Sequence, residues 1–233
     1  MNAEEIEKFL GLSKGAFNHI PVYARNAALS AIAKVRELEE QNLFRPGLYY
    51  IALIDLSAST VASAHLSPEI NKRRIETFIT ATVEALGSIE LKNYAQFVKE
   101  IGDASLFLFS SFDDLYRWWR ATHSAFEAYN QDWKDELEDK EWPFFKLDAK
   151  TVVHLGEVSF AEQKNPVALA VNQVFKIEKL FAPGELGATD AVRQAATPGL
   201  LSHKLSPIRH VEVTLPGDSE VTYTWKLAQW VSS

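Results

Sequence analysis

Apolar and polar positions follow two rhythms along this chain, and the switches between them mark its elements. Residues 24–43, ARNAALSAIAKVRELEEQNL, repeat apolar positions at helical spacing with charge gathering toward the end. Pro46-Gly47 stops that pattern, which predicts an N-terminal helical arm over residues 1–46. LYYIALIDL, residues 48–56, is apolar without a break until Asp55, as expected of a central strand covered on both faces. A Ser-Pro-Glu opening at Ser67 leads into helical periodicity as far as Leu86. Residues 93–110 predict a hairpin: Tyr94, Phe97 and Val98 precede a Gly102-Asp103 turn, and Leu106, Phe107, Leu108 and Phe109 follow it. Residues 113–141 form an aromatic-rich helical stretch whose Trp118, Trp119 and Phe126 are expected to pack a core. A strand over 144–158, a helix over 165–181, and a last hairpin over 211–215 and 221–225 with a Pro-Gly-Asp turn complete the series.

The order strand, helix, hairpin, helix, strand, helix, hairpin predicts an α+β fold, a mixed and mainly antiparallel sheet with helices on one face. No Pro/Gly/Ser linker interrupts it, so residues 47–233 are expected to form one domain after the arm.

Composition narrows the chemistry. At 233 residues, 47% hydrophobic and 24% charged, the chain can bury a large single core. With no cysteine, a disulfide framework and thiolate metal sites are excluded. A net charge of -7 with scattered Lys and Arg lacks the basic stripe a nucleic-acid partner requires. No apolar run approaches the roughly 18 residues of a membrane span. The N-terminus, MNAEEIEKF, is acidic and has no apolar leader segment, so a cytoplasmic location is expected.

Asp55, at the end of a buried-type strand, and Asp103, in a turn, are the first candidates for catalysis. Either acid alone is ordinarily a cap or an Asx-turn. Together they suit a divalent metal that also meets substrate phosphates, because Mg²⁺ takes oxygen ligands and is usually held by one or two carboxylates. The loop DLSAST also loosely matches the Asp-x-Asp-x-Thr loop of haloacid-dehalogenase phosphatases, but Ser57 stands where the second Asp is needed.

Four motifs, in order, resemble those of the class III nucleotidyl cyclases over roughly residues 48–182. They are Asp55 through Thr60, Lys99 through Asp103, HLGEV at 154–158, and the helix NPVALAVNQVFKIEKL at 165–180. The resemblance implies a ferredoxin-like cyclase fold. It implies that Asp55 and Asp103, with the backbone carbonyl of Leu56, hold two Mg²⁺ or Mn²⁺ ions per site. Asn172 matches the position that orients the ribose, and Lys176 stands where the family has an Arg that meets the transition state. A head-to-tail homodimer with composite sites is likewise implied. The family's second phosphate-binding Lys has no clear counterpart; Lys204 and Arg209 lie nearby.

Base choice in that family rests on two positions, matched here by Lys99 and by Asn165 in place of an Asp. Tyr50, five residues before Asp55, is bulky where a purine would need room if it faces the pocket, and Thr60 completes the nucleotide-binding set. These departures are similar to the pyrimidine cyclases of bacterial Pycsar anti-phage systems. That similarity implies conversion of UTP to 3′,5′-cyclic UMP and pyrophosphate for a separate effector protein, since the Lys99 ammonium only donates and so matches the O4 carbonyl of uracil. Cytidylate cyclase is the nearer alternative, adenylate or guanylate cyclase a further one. A catalytically silent, cyclase-like nucleotide-binding dimerisation module is the non-enzyme alternative.

Overall fold

The computed structural model describes residues 45–139, 146–161 and 166–231. The chain divides into two compact units, Met1–Arg45 and Pro46–Ser233, and the elements that follow all belong to the second. The helical arm expected over 24–43 and Asn165 lie outside the described residues.

The long apolar run becomes β1, Gly47–Leu56, and everything else is arranged around it. A short helix α1, Ser59–His65, and a long one α2, Pro68–Ser88, follow. The Ser67 side chain caps α2 by accepting from the Ile70 N–H, with Pro68 in the first turn, as the Ser-Pro-Glu signal predicts. Strands β2, Ala95–Ile101, and β3, Ala104–Phe109, form the expected hairpin, and α3 spans Phe112–Asp139. Next come β4, Ala149–Phe160, the two-residue β5, Pro166–Val167, and α4, Leu169–Glu178. The chain continues through β6, Glu185–Thr189, the short helices α5, Asp190–Ala195, and α6, Thr197–Ser202, and the hairpin β7, Ile208–Thr214, with β8, Val221–Gln229.

The strands join in the order β2-β3-β1-β4-β6-β8-β7, with β5 beside the end of β4. All pairs are antiparallel except β4 with β6. The α+β class and the mixed, mainly antiparallel sheet agree with the sequence reading. The helices differ from it, because they cover both faces. Successive strand side chains point to opposite faces. The even positions of β1, Ala52, Ile54 and Leu56, join Phe78 of α2 and Trp118, Trp119 and Phe126 of α3 in the main core. The aromatic stripe is therefore packing: Trp118 is fully buried, lies 4.5 Å from the Phe107 ring centre, and donates its indole N–H to the Thr82 carbonyl.

The odd positions, Ile51, Leu53 and Asp55, face the other side, where α4 packs across β4 and β1. Gly156 makes that packing possible, since a Cβ there would lie 2.3 Å from the Ala170 Cβ of α4. Among the described residues, the sheet thus carries a large aromatic core on one face and a single helix, α4, on the other. Among the described residues, no helix is long and apolar enough to cross a membrane.

Candidate active site

Asp55, the last residue but one of β1, lies directly opposite Ala104 of β3 and Lys150 of β4. Asp103 is held one step away by the hairpin turn. Gly102 takes a φ of 65° while Asp103 keeps a negative one, the pattern of a tight two-residue hairpin turn that wants Gly first. The Leu56 N–H donates to the Asp103 carbonyl at 3.1 Å, and the Ser57 N–H to the Asp148 carbonyl at 2.8 Å. Both acids line one cavity of about 290 Å³, with Leu56, Ser57, Ser59, Thr60 and Lys150 among the other walls.

The charges around this cavity are unbalanced. Lys150 reaches Asp55 Oδ2 at 3.4 Å and also pairs with Glu178 at the end of α4. Burial, then the negative charges of Glu178 and Asp103, push the Asp55 carboxyl up to about 7, against the opposing pull of Lys150. Burial disfavours the Lys150 ammonium, but hydrogen bonds and charge from Glu178 and Asp55 hold it above its ordinary range. Two carboxylates share the Lys150 ammonium, and Asp103 adds its negative charge to the field at Asp55, so added positive charge beside Asp55 is favourable.

This donor set fits a hard divalent cation. It offers two carboxylates and the Leu56 carbonyl, which accepts from Ser59 Oγ at 2.9 Å and, like any carbonyl, carries two lone pairs. Among the described residues no group of three or more His, Asp or Glu side chains forms a metal cage on its own. An ion here would draw its remaining ligands from phosphate and water, the usual habit of Mg²⁺.

The loop after Asp55 is strained at Ala58, which precedes α1 in the left-handed region, φ 59° and ψ 22°, with no side-chain cap. Left-handed backbone costs a non-glycine residue about 1–2 kcal/mol, and the extra freedom of glycine in the unfolded chain returns about 0.4–1 kcal/mol of that. Ala58→Gly should therefore stabilise the protein by about 0.5 kcal/mol. The check is a urea midpoint that rises while the m-value stays fixed; a lowered midpoint would show that Ala58 carries no strain.

The other residues singled out from sequence separate into groups. Thr60 lines the Asp55 cavity. Lys99 is half-buried on β2 opposite Leu106, which in turn lies opposite Leu53, so it shares the face of the sheet that carries Asp55. Tyr50 does not. Five residues is an odd offset in a strand, so Tyr50 points into the helical core, where its ring meets Phe112 at 6.1 Å. The reading of Tyr50 as a wall of the base pocket is corrected accordingly. Asn172 and Lys176 are exposed on α4 and do not line the cavity of their own chain, whereas Glu178 on the same helix reaches Lys150. Lys204 and Arg209 do not line it either; Arg209 stacks on the Tyr223 ring at 3.9 Å. In HLGEV, His154 is buried with Nδ1 2.9 Å from Thr189 Oγ1, tying β4 to β6, and burial lowers its pKa.

Sequence reasoning missed Lys150, Glu178 and Arg74. Lys150 carried a usable signal, being a lone charge at the mouth of an apolar strand that pairs with the Asp55 strand. Glu178 and Arg74 carried none, since each is an ordinary helix residue until the fold brings it under the loop.

No protein-family model matches the chain, and no curated protein matches it. Solved structures do. The guanylyl cyclase Cya2 superposes with a TM-score of 0.60 at 17% identity, over 80% of this chain and 94% of that one. A Trypanosoma brucei adenylate cyclase in its monomeric state gives 0.58 at 14% identity, over 77% and 87%. The non-canonical dimeric guanylyl cyclase domain of the RhoGC fusion protein from the aquatic fungus Blastocladiella emersonii gives 0.54 at 14% identity, over 80% and 99%. The chain therefore has the fold of the class III cyclase domains.

Proposed function

We propose that this protein is a nucleotidyl cyclase that closes the ribose 3′-hydroxyl of a nucleoside triphosphate onto its own α-phosphorus and releases pyrophosphate. The observation that carries this reading is that Asp55, Asp103 and Leu56 line one cavity in which burial and neighbouring carboxylates oppose the Asp55 charge. Asp55, Asp103 and Leu56 would hold two Mg²⁺ or Mn²⁺ ions. Bound there, divalent ions supply activation of the attacking hydroxyl and neutralisation of the leaving phosphates.

The chain's own side chains do the rest. Lys150 sits beside Asp55 and offers an ammonium to phosphate oxygens entering the cavity. Asn172, an amide that both donates and accepts, orients the ribose. Lys176, one helical turn further on, places positive charge against the phosphorus undergoing substitution, as a point charge and not the bidentate fork an Arg would give. Both are exposed and outside their own chain's cavity, which supports a head-to-tail homodimer in which each site takes its acids from one protomer and Asn172 and Lys176 from its partner.

UTP is the favoured substrate, giving cyclic UMP. Lys99 lies on the Asp55 face of the sheet and its ammonium only donates, which matches the uracil O4 and not the N4 amine of cytosine. The cyclic product would act as an alarm read by a separate effector protein, the role implied by the likeness to the anti-phage pyrimidine cyclases. The specificity test offers UTP, CTP, ATP and GTP together at equal concentration with Mn²⁺ and separates the products by mass. Cyclic UMP should dominate; cyclic AMP or cyclic GMP as the main product would overturn the pyrimidine reading.

A further inference from the structure

The backbone under the two acids is braced from below by one side chain. Arg74 of α2 is 1% exposed, a costly place for a guanidinium unless its hydrogen bonds are good. Its Nη2 donates to the Ser57 carbonyl at 2.7 Å and to the Lys146 carbonyl at 3.2 Å. Ser57 lies two residues after Asp55, and Lys146 four before Lys150. The same stretch is tied sideways, Leu56 N–H to the Asp103 carbonyl and Ser57 N–H to the Asp148 carbonyl. The segments that carry Asp55, Asp103 and Lys150 thus meet at one knot. Arg74 enters it from the helical layer. Burial works against its charge, and the nearby Asp103 carboxylate favours it.

We propose that Arg74 is a positioning residue for the cyclase reaction: it holds the backbone after Asp55 against the β2–β3 turn and the start of β4, so that Asp55, Asp103 and the Leu56 carbonyl converge. It touches no reacting atom. This rests on the reading of that cavity as a metal-dependent cyclase site. Groups that orient metal ligands usually matter by about 10–100-fold in metal affinity or activity. A loosened loop should spoil metal binding and turnover and leave nucleotide capture largely intact, because the α4 residues do not depend on it.

The test compares wild type with Arg74→Met and Arg74→Lys. Folding is followed by thermal melting, Mn²⁺ affinity by paramagnetic resonance without nucleotide, and kcat and KM by product formation. For folded Arg74→Met, Mn²⁺ affinity should fall about tenfold and kcat about 10–100-fold, with KM within about threefold. Arg74→Lys should recover part of both losses, since both bonds leave the one nitrogen Nη2 and an ammonium can donate to either carbonyl, although the unbranched lysine stem does not set its nitrogen where Nη2 lies. Unchanged Mn²⁺ affinity and kcat in folded Arg74→Met would overturn the proposal. So would failure of Arg74→Lys to fold, because Arg74 would then support the whole domain and not this loop. If wild type binds Mn²⁺ yet yields no cyclic nucleotide, the cyclase reading alone fails, and the Mn²⁺ affinity of Arg74→Met still decides the role of Arg74.

Discussion

Asp55→Asn should silence the enzyme and, in the absence of metal, make the protein more stable. The unfolded chain ionises an aspartate at about 3.9. Folded and without metal, Asp55 ionises at about 7, because burial, Glu178 and Asp103 oppose its charge. Between those values the folded state keeps a proton that the unfolded state has lost, so stability falls as pH rises through that window, and the loss is complete above 7. Asn removes the charge and the loss with it. The cavity is open to water on one side, so the gain at pH 8 is discounted to about 1–2 kcal/mol, a few degrees in Tm for a domain of this size. Melting in EDTA should show the gap at pH 8 and its disappearance near pH 4. Added Mn²⁺ should raise the Tm of wild type and leave Asp55→Asn unmoved, while cyclic product falls by at least about 100-fold, the scale expected when a metal site is lost. Equal melting temperatures in EDTA at pH 8 would show that the carboxylates around Asp55 do not repel as the geometry indicates.

Mixing two inactive variants should restore activity. Under the proposed function Asp55→Ala removes a metal ligand and Asn172→Ala the ribose contact, and in a shared site these belong to different chains. After exchange of protomers, half the dimers are mixed, and each mixed dimer holds one intact site of two, so about a quarter of wild-type activity should return. The structural ground is that Asn172 and Lys176 are exposed on α4 while Glu178 of the same helix pairs with Lys150 beside Asp55. One helix can serve two sites only if they belong to different copies. Activity from product formation, read together with sedimentation to confirm mixed dimers, decides the matter. Mixed dimers without rescue would place the whole site in one chain.

Much of this site was visible along the sequence because local physics made it so. β1 is apolar on both faces since both faces are covered, and its one acid therefore stood out. Gly102 announced the turn that presents Asp103. The parts that were not visible depend on partners far away in the chain. β6 has the unpromising sequence ELGAT and becomes a strand through parallel pairing with β4, while Phe181 lies over Gly187 at a distance no larger residue would allow. α1 follows a left-handed alanine, which sequence pattern does not anticipate. Lys150, Glu178 and Arg74 meet only because the sheet register and two helices bring them together. Tyr50 is different. Counting its odd offset from Asp55 was enough to place it on the opposite face, and its bulk therefore says nothing about the base.

The central claim is that Asp55 and Asp103 together serve cyclisation of a nucleoside triphosphate. The most direct measurement incubates purified wild type and Asp103→Asn with an equal mixture of UTP, CTP, ATP and GTP and Mn²⁺ and follows pyrophosphate and cyclic nucleotide by mass. Wild type should release the two in equal amounts, and Asp103→Asn, folded by its melting curve, should release neither. All four triphosphates intact with wild type, cleavage to diphosphate and phosphate, or undiminished cyclisation by Asp103→Asn would contradict it.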